Sequence, residues 1–187
     1  MGESLLAWGR VLACLLAIVG VSAPPAAPAA QKAALACANP ALPAAILDGP
    51  AARGGGAALA LIDVRAPRAV LRLAVAANDS SRDLGLMCVT KLRPRAGMIF
   101  VFAQASDWSF WMKNTLIALD QIWVEPSGKV DTVAANVPKS ALDTPDDRVA
   151  RRRGHGVYVI ELPAGEAAAD GIVAGASLVI PSLRASQ

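Results

Sequence analysis

The chain has 187 residues, a length typical of one domain, and an apolar fraction of 55%. Much of that fraction is alanine before residue 60, so the core must come from the Ile, Val, Leu, Met and aromatic runs after Leu59. About 120 residues can bury one sheet-based core without a metal or a disulfide. The net charge of +3 is too small to indicate a polyanion such as nucleic acid as the partner.

The first thirty residues have the pattern of a secretory signal peptide. Arg10 precedes an apolar run at residues 11–21, a stretch of small residues follows, and residues 27–29 offer an Ala-x-Ala cleavage site. The run is shorter than the roughly 20 apolar residues of a membrane span, so an uncleaved signal that anchors the protein is the minor alternative. Membrane attachment is expected only in that case. We therefore predict a signal peptide at 1–30 and a periplasmic or secreted location, which also disfavours nucleic acid.

Residues 31–57 are rich in Ala, Pro and Gly, which predicts a linker. Because Cys14 lies in the signal, the exported chain retains Cys37 and Cys88. Two alternatives follow: one disulfide that ties this segment to the domain, or a buried Cys88 and a free thiol at Cys37. With His155 as the single histidine and no Cys-x-x-Cys, the sequence predicts no metal site.

Apolar runs separated by turn residues predict the elements of the domain, residues 58–183. We predict strands at 59–64, 69–76, 98–102, 108–112, 119–125, 129–135, 157–162 and 177–180, a helix at 80–92 and a helical turn at 165–171. The first two strands and the pair around residues 126–128 read as hairpins. The expected fold class is α+β, mainly β: a compact antiparallel sheet or barrel-like core with one or two short helices.

The block at residues 108–120 combines aromatic and polar side chains. Alternation along a strand places Trp111 and Lys113 together on the face opposite Trp108. Asn114 and Thr115 then follow in a turn, where their side chains can bond the backbone, and this structural role is the favoured alternative to ligand binding.

Asp120 begins an apolar strand, where a carboxylate must be exposed, paired or hydrogen-bonded. Lys113 or Arg82 is its expected partner. Trp111, Lys113, Asn114, Thr115 and Asp120 form a candidate site for a small polar ligand, with Lys113 as charge anchor and Asp120 as acceptor or general base. A structural role for the buried carboxylate is the alternative, and it is favoured.

Three motifs carry a resemblance to a known family. The chain contains Gly-Leu-Met at 85–87, Gly-Met-Ile-Phe at 97–100 and Ser-Phe-Trp-Met-Lys-Asn-Thr followed by Leu-Asp at 109–120. These segments resemble the signature of the domain of unknown function 192 family, bacterial and archaeal conserved proteins. The resemblance implies a shared fold over residues 59–178 and implies no activity.

The sequence predicts an exported protein that serves as a small binding or accessory module of the cell envelope, with a small polar ligand or an envelope protein as partner. An envelope hydrolase with Asp120 as general base and a structural protein-interaction domain are the alternatives. No catalytic residue is assigned, because the chain has no Gly-x-Ser-x-Gly elbow and His155 follows a basic run predicted as a loop at 148–156. No cofactor motif is present.

Overall fold

A six-stranded mixed sheet organises the chain in the computed structural model, which describes residues 37, 39, 41–48 and 58–186. The predicted signal peptide and most of the predicted linker lie outside the described residues. The strands are β1 (Leu61–Arg65), β2 (Val70–Ala76), β3 (Ala96–Trp111), β4 (Leu119–Val124), β5 (Val130–Val137) and β6 (Arg151–Pro163). Two short helices, α1 (Asp79–Leu84) and α2 (Glu166–Ala169), and 3-10 turns at Ala44–Ile46 and Asp146–Arg148 complete the described elements.

The strands lie in the order β1-β2-β3-β6-β4-β5, and the sheet is not closed. The predicted hairpins β1-β2 and β4-β5 are confirmed as antiparallel pairs. Strands β2 and β3 are parallel, which makes the sheet mixed rather than purely antiparallel. A parallel pair needs a crossover connection, and α1 with the turns after it supplies that connection. The mainly β fold class is confirmed.

Helix α1 is shorter than the predicted helix at 80–92. Asn78 caps its first turn, because the Asn78 side chain accepts from the Ser81 backbone N–H and the Ser81 side chain accepts from the Asn78 backbone N–H. Gly85 ends the helix at a φ of 48°, a conformation that glycine adopts without strain. The Gly-Leu-Met segment therefore lies in a turn beyond the helix.

Two predicted boundaries are wrong. The predicted strands 98–102 and 108–112 are one strand, β3, with a register shift between Val101 and Ser106. Residues 151–156 of the predicted loop belong to β6, where Arg151 pairs with Trp111, whereas Arg148 lies in a 3-10 turn. Gly154 of this strand allows close packing, because a Cβ there would lie 2.5 Å from the Trp123 ring.

The predicted closing strand at 177–180 is also absent from the described elements. Its residues form isolated bridges instead, between Val179 and Arg65 and between Ser177 and Lys129. The first bridge joins the last residue of β1 and the second joins the residue before β5, so the segment contacts both outer strands of the sheet without forming a strand of its own.

Apolar side chains cover both faces of the sheet. One face carries Met98, Phe100, Met112 and Trp123, and the other carries Leu71, Ile99 and Ile160, as alternation along the strands requires. All six residues of β4 are buried, since this strand lies inside the sheet with a core on each side. The sheet therefore buries polar residues of its central strands together with apolar ones.

The Cys37–Cys88 disulfide is confirmed. It ties the segment before β1 to the turn after α1, and Leu42 and Ile46 of that segment are buried in the first core. The Asn39 side chain donates to the Gly85 and Met87 carbonyls at 2.9 and 3.1 Å. Among the described residues, no helix is long and apolar enough to cross a membrane.

Reduction of this disulfide is expected to lower the free energy of unfolding. The bridge spans 51 residues, and a loop of that length corresponds to about 4 kcal/mol in the chain-entropy description. Urea unfolding with and without reductant measures the loss. The Cys37→Ser/Cys88→Ser double variant is the control and should no longer respond to reductant. A wild-type curve that reductant leaves unchanged would contradict the prediction.

Candidate functional site

A small pocket lies where the turn after α1 meets the far half of β3. Its volume is about 40 Å³, room for a group about the size of two or three water molecules. It is partly open to solvent, and twelve residues line it: Arg82, Asp83, Leu84, Gly85, Leu86, Met87, Phe100, Phe110, Trp111, Lys113, Thr115 and Glu161.

Glu161 is the one buried carboxyl among the residues that line the pocket. It lies on β6, only 4% exposed, beside Met98 of β3 and Gln121 of β4. Desolvation by burial raises its pKa from the ordinary 4.5 to about 7, and the hydrogen bond from Gln121 acts in the opposite direction. Glu161 is therefore a group that changes charge near neutral pH.

Gln121 supplies the hydrogen bond to this carboxyl. Its Nε2 donates to Glu161 Oε1 at 3.0 Å and lies 3.5 Å from the Met112 sulfur. The Gln121 Oε1 atom is buried and has no partner among the described residues. In the same part of the chain, no side chain donates to Glu161 Oε2. Glu161 lines the pocket with this unused acceptor, whereas Gln121 does not line the pocket.

The two cations that line the pocket are engaged elsewhere. Arg82 donates to the Ala77 and Val101 carbonyls at 2.8 Å each and pairs with Asp79 at 2.6 Å. Lys113 pairs with Asp146, and this interaction lowers the pKa of Asp146. Neither cation contributes to the pKa of Glu161, so the ionised carboxylate has no counter-ion in the described structure.

Aromatic side chains form the apolar wall. Phe100 and Phe110 meet edge to face with their ring centroids 4.8 Å apart. Trp111 stands at the rim, 38% exposed, and the Arg151 guanidinium lies over its ring at 4.6 Å. The pocket thus combines aromatic side chains with the Glu161 carboxyl, whose charge changes near neutral pH.

The turn after β3 holds its shape through backbone contacts. Asn114 has a φ of 51°, and its carbonyl accepts from the Cys88 N–H at 2.9 Å. The Thr115 hydroxyl donates to the Lys113 carbonyl at 3.2 Å, and the Thr115 carbonyl accepts from the Ser140 N–H. The Thr115 side-chain contact agrees with the structural alternative, whereas Asn114 holds the turn through its main-chain carbonyl.

Asp120 lies away from the pocket and is fully buried. Its Oδ1 accepts from the Asn136 N–H at 2.8 Å and its Oδ2 from the Ala167 N–H at 2.9 Å. The expected pairing with Lys113 or Arg82 is wrong, because those cations bond Asp146 and Asp79. Its contacts tie β4 to the end of β5 and to α2, and they match the structural alternative.

The structure therefore brings together only part of the candidate site. Trp111, Lys113 and Thr115 line the pocket, whereas Asn114 and Asp120 do not. Sequence reasoning missed Glu161 and Gln121. Both residues carry the signal that singled out Asp120, a polar residue within an otherwise apolar strand. Gln121 lies in Leu-Asp-Gln-Ile-Trp-Val at 119–124, and Glu161 lies in Val-Tyr-Val-Ile-Glu-Leu at 157–162.

The remaining reactive groups lie outside this pocket. Cys88 is bonded to Cys37, so it does not serve as a thiolate for His155. His155 Nδ1 lies 2.8 Å from Asp107 Oδ1 on the exposed surface. Within the described part of the chain, no three His, Cys, Asp or Glu side chains are grouped to hold a metal ion.

Residues 61–180 match the model of the DUF192 family, described as an uncharacterised conserved group. The chain belongs to the DUF192 family. The three sequence motifs contribute most of the pocket: Gly85, Leu86 and Met87 from the first, Phe100 from the second, and Phe110, Trp111, Lys113 and Thr115 from the third. The three motifs that carry the resemblance therefore meet at the pocket.

Two solved structures resemble this DUF192 chain. One, a protein of Sinorhizobium meliloti described as a candidate transcription regulator, is 30% identical with a TM-score of 0.58, over 67% of this chain and 97% of that one. The other, a protein of unknown function from Novosphingobium aromaticivorans, is 28% identical with a TM-score of 0.55, over 74% of this chain and 98% of that one. None of the curated proteins compared matches the chain.

Proposed function

We propose that this protein is a small ligand-binding module of the cell envelope and that the pocket at Glu161 is its binding site. The observation that carries the proposal is a carboxyl only 4% exposed that lines a partly open pocket and has no counter-ion among the described residues. Burial of such a group opposes folding unless it is paired. Ionisable groups with shifted pKa values in a cleft are typical of binding and catalytic sites.

Export is the second part of the proposal. The signal-like pattern of residues 1–30 supports it, and so does the Cys37–Cys88 disulfide, because disulfides persist in oxidising compartments. A periplasmic or secreted location and the net charge of +3 argue against the transcription-regulator role that is named for the Sinorhizobium protein. A small polar ligand, or an envelope protein that presents one, is the proposed partner.

An envelope hydrolase remains the second candidate function. A carboxyl with a pKa of about 7 suits proton transfer at neutral pH. Both oxygens of Asp120 already accept backbone N–H groups. We therefore place Glu161, rather than Asp120, as the general base in this alternative. Turnover of a bound envelope substrate would distinguish the hydrolase from the binding module.

A thermal-shift screen of the purified protein tests the proposal. The panel comprises amines, sugars, peptidoglycan fragments, nucleotides, metals and small anions. A ligand of the folded state raises Tm, because it stabilises that state by RT ln(1 + [L]/Kd). We expect a rise that grows with the logarithm of ligand concentration for one class, and that is lost in Glu161→Gln and reduced in Trp111→Ala.

Asp63→Asn is the matched control for this screen, because Asp63 is an exposed carboxylate that pairs with Arg72 on β2, away from the pocket. It should keep the full shift. A panel that leaves the Tm of the wild-type protein unchanged, or a shift that survives in Glu161→Gln, would refute the pocket as the binding site.

A further inference from the structure

The charges that line the pocket indicate which ligand charge it favours. When Glu161 is ionised, no described cation compensates it: Arg82 bonds two carbonyls and Asp79, and Lys113 bonds Asp146. Asp83 is the remaining charged residue of the lining, and it is negative. A ligand that enters the pocket therefore gains most if it brings a positive charge to the carboxylate.

The hydrogen-bonding capacity of Glu161 gives the same answer. Glu161 Oε1 accepts one hydrogen bond, from Gln121 Nε2, and Gln121 itself is buried and does not line the pocket. Glu161 Oε2 receives no hydrogen bond from the described side chains. Because an ionised carboxylate only accepts hydrogen bonds, it favours a ligand with N–H or O–H donors and disfavours carboxylate and phosphate groups.

Size and wall chemistry narrow the ligand further. A volume of about 40 Å³ accommodates a compact head group and leaves little room for a ring. The faces and edges of Phe100, Phe110 and Trp111 suit methylene groups and, where a face is presented, a cation. An ammonium with three N–H donors on a short alkyl stem meets all of these requirements. A quaternary ammonium carries the charge but has no N–H donor.

We infer that the pocket binds the protonated head group of a primary amine, with Glu161 as its counter-ion. This inference rests on the proposed binding function and names its ligand class. The amine belongs to a small molecule or to the end of a flexible side chain, since a volume of about 40 Å³ holds only the head group.

The inference sets the pH dependence of binding. The pKa of Glu161 is about 7 in the free protein, so below pH 7 the amine must displace a proton from the carboxyl. Apparent affinity should fall about tenfold for each pH unit below 7 and level off above it, while the amine remains protonated. Arg82, Asp83 and Lys113 are the other charged groups facing the pocket.

Isothermal titration of the purified protein with n-propylammonium, n-propanol and tetramethylammonium, between pH 5.5 and 8.5, tests the inference. We expect saturable binding of n-propylammonium that strengthens up to pH 7, with about one proton released per amine bound at pH 6 in buffers of different ionisation enthalpy. The other two probes, which lack the charge or the N–H donors, should bind at least about tenfold more weakly.

Variants separate the amine from other ligands. Glu161→Gln should weaken n-propylammonium binding at least about tenfold and remove its pH dependence. Lys113→Gln should strengthen it about two- to threefold, because a like charge leaves the rim and Asp146 loses its partner. For an anionic ligand the Lys113 effect would have the opposite sign. Asp63→Asn should leave the affinity unchanged.

Failure of the inference is distinguishable from failure of the proposed function. If n-propylammonium does not bind but a sugar or an anion binds and Glu161→Gln abolishes that binding, the pocket is a site and the amine is overturned. If n-propanol binds as tightly as n-propylammonium, the charge argument is overturned. If no probe and no member of the ligand panel binds, both are overturned.

Discussion

The Glu161→Gln substitution is expected to raise the free energy of unfolding by about 3 kcal/mol at pH 8 and to leave it nearly unchanged near pH 4.5. The pKa of Glu161 rises from 4.5 to about 7 on folding, and a tenfold change in a proton-binding constant corresponds to about 1.4 kcal/mol. Between these two pKa values the folded state holds a proton that the unfolded state has released. Wild-type stability therefore falls as pH rises from 4.5 to 7 and then levels off.

The substituted amide has a partner available. It can still accept from Gln121 Nε2, and its new N–H group can donate to the Gln121 Oε1 atom that lacks a partner in the described structure. The variant therefore removes a buried charge without leaving a new unsatisfied group, which is the case in which replacement of a buried charge stabilises.

Urea unfolding at pH 4.5, 6, 7 and 8 measures this effect as the difference between variant and wild type. Asp63→Asn is the control, since its carboxylate is exposed and its pair with Arg72 lies on the surface, where such pairs contribute about 0–1 kcal/mol. Equal stability of Glu161→Gln and wild type at every pH would contradict the desolvation of Glu161 on which the site rests.

If Glu161→Gln is more stable at pH 8 yet loses ligand binding, Glu161 serves function and not stability. Residues retained for packing lower stability when they are replaced, whereas residues retained for function often raise it. Because the stabilisation appears only above pH 4.5, the pH series also separates removal of the charge from any improvement in packing.

Local patterns in the sequence predict the parts of the fold that local interactions determine. Pro126, Ser127 and Gly128 define the β4-β5 hairpin, and Asn78 marks the start of α1, because turn and cap residues act over a few positions. The parallel pairing of β2 with β3 joins residues more than twenty positions apart, such as Arg72 and Ala96, and alternation alone does not specify a partner strand.

The candidate site was predictable to the extent that it follows one continuous segment. Trp111 and Lys113 reach the pocket because they lie in and just after β3. Glu161 joins them from β6, and Gln121 bonds it from β4, 40 positions away in sequence. Only the β3-β6-β4 order brings these residues together. The strand order also decides what an acid in an apolar strand faces. Glu161 faces the pocket, whereas Asp120 faces backbone N–H donors.

Asp120→Ala is expected to lower the free energy of unfolding by about 3–5 kcal/mol. The substitution leaves the N–H groups of Asn136 and Ala167 without the carboxylate oxygens that now accept from them at 2.8 and 2.9 Å. Loss of a hydrogen bond to a charged group costs about 1.5–3 kcal/mol. Asp120→Asn keeps one acceptor oxygen, so it should lose about half as much, and urea unfolding ranks the two variants.

The binding assay then decides between the two roles of Asp120. Below its own Tm, Asp120→Ala should bind the pocket ligand with wild-type affinity, because Asp120 does not line the pocket and its two oxygens face backbone donors. Asp63→Ala, at an exposed carboxylate, should change neither stability nor affinity. Unchanged stability of Asp120→Ala together with lost binding would instead assign Asp120 to the ligand, and its buried contacts with β5 and α2 would then contribute nothing to the fold.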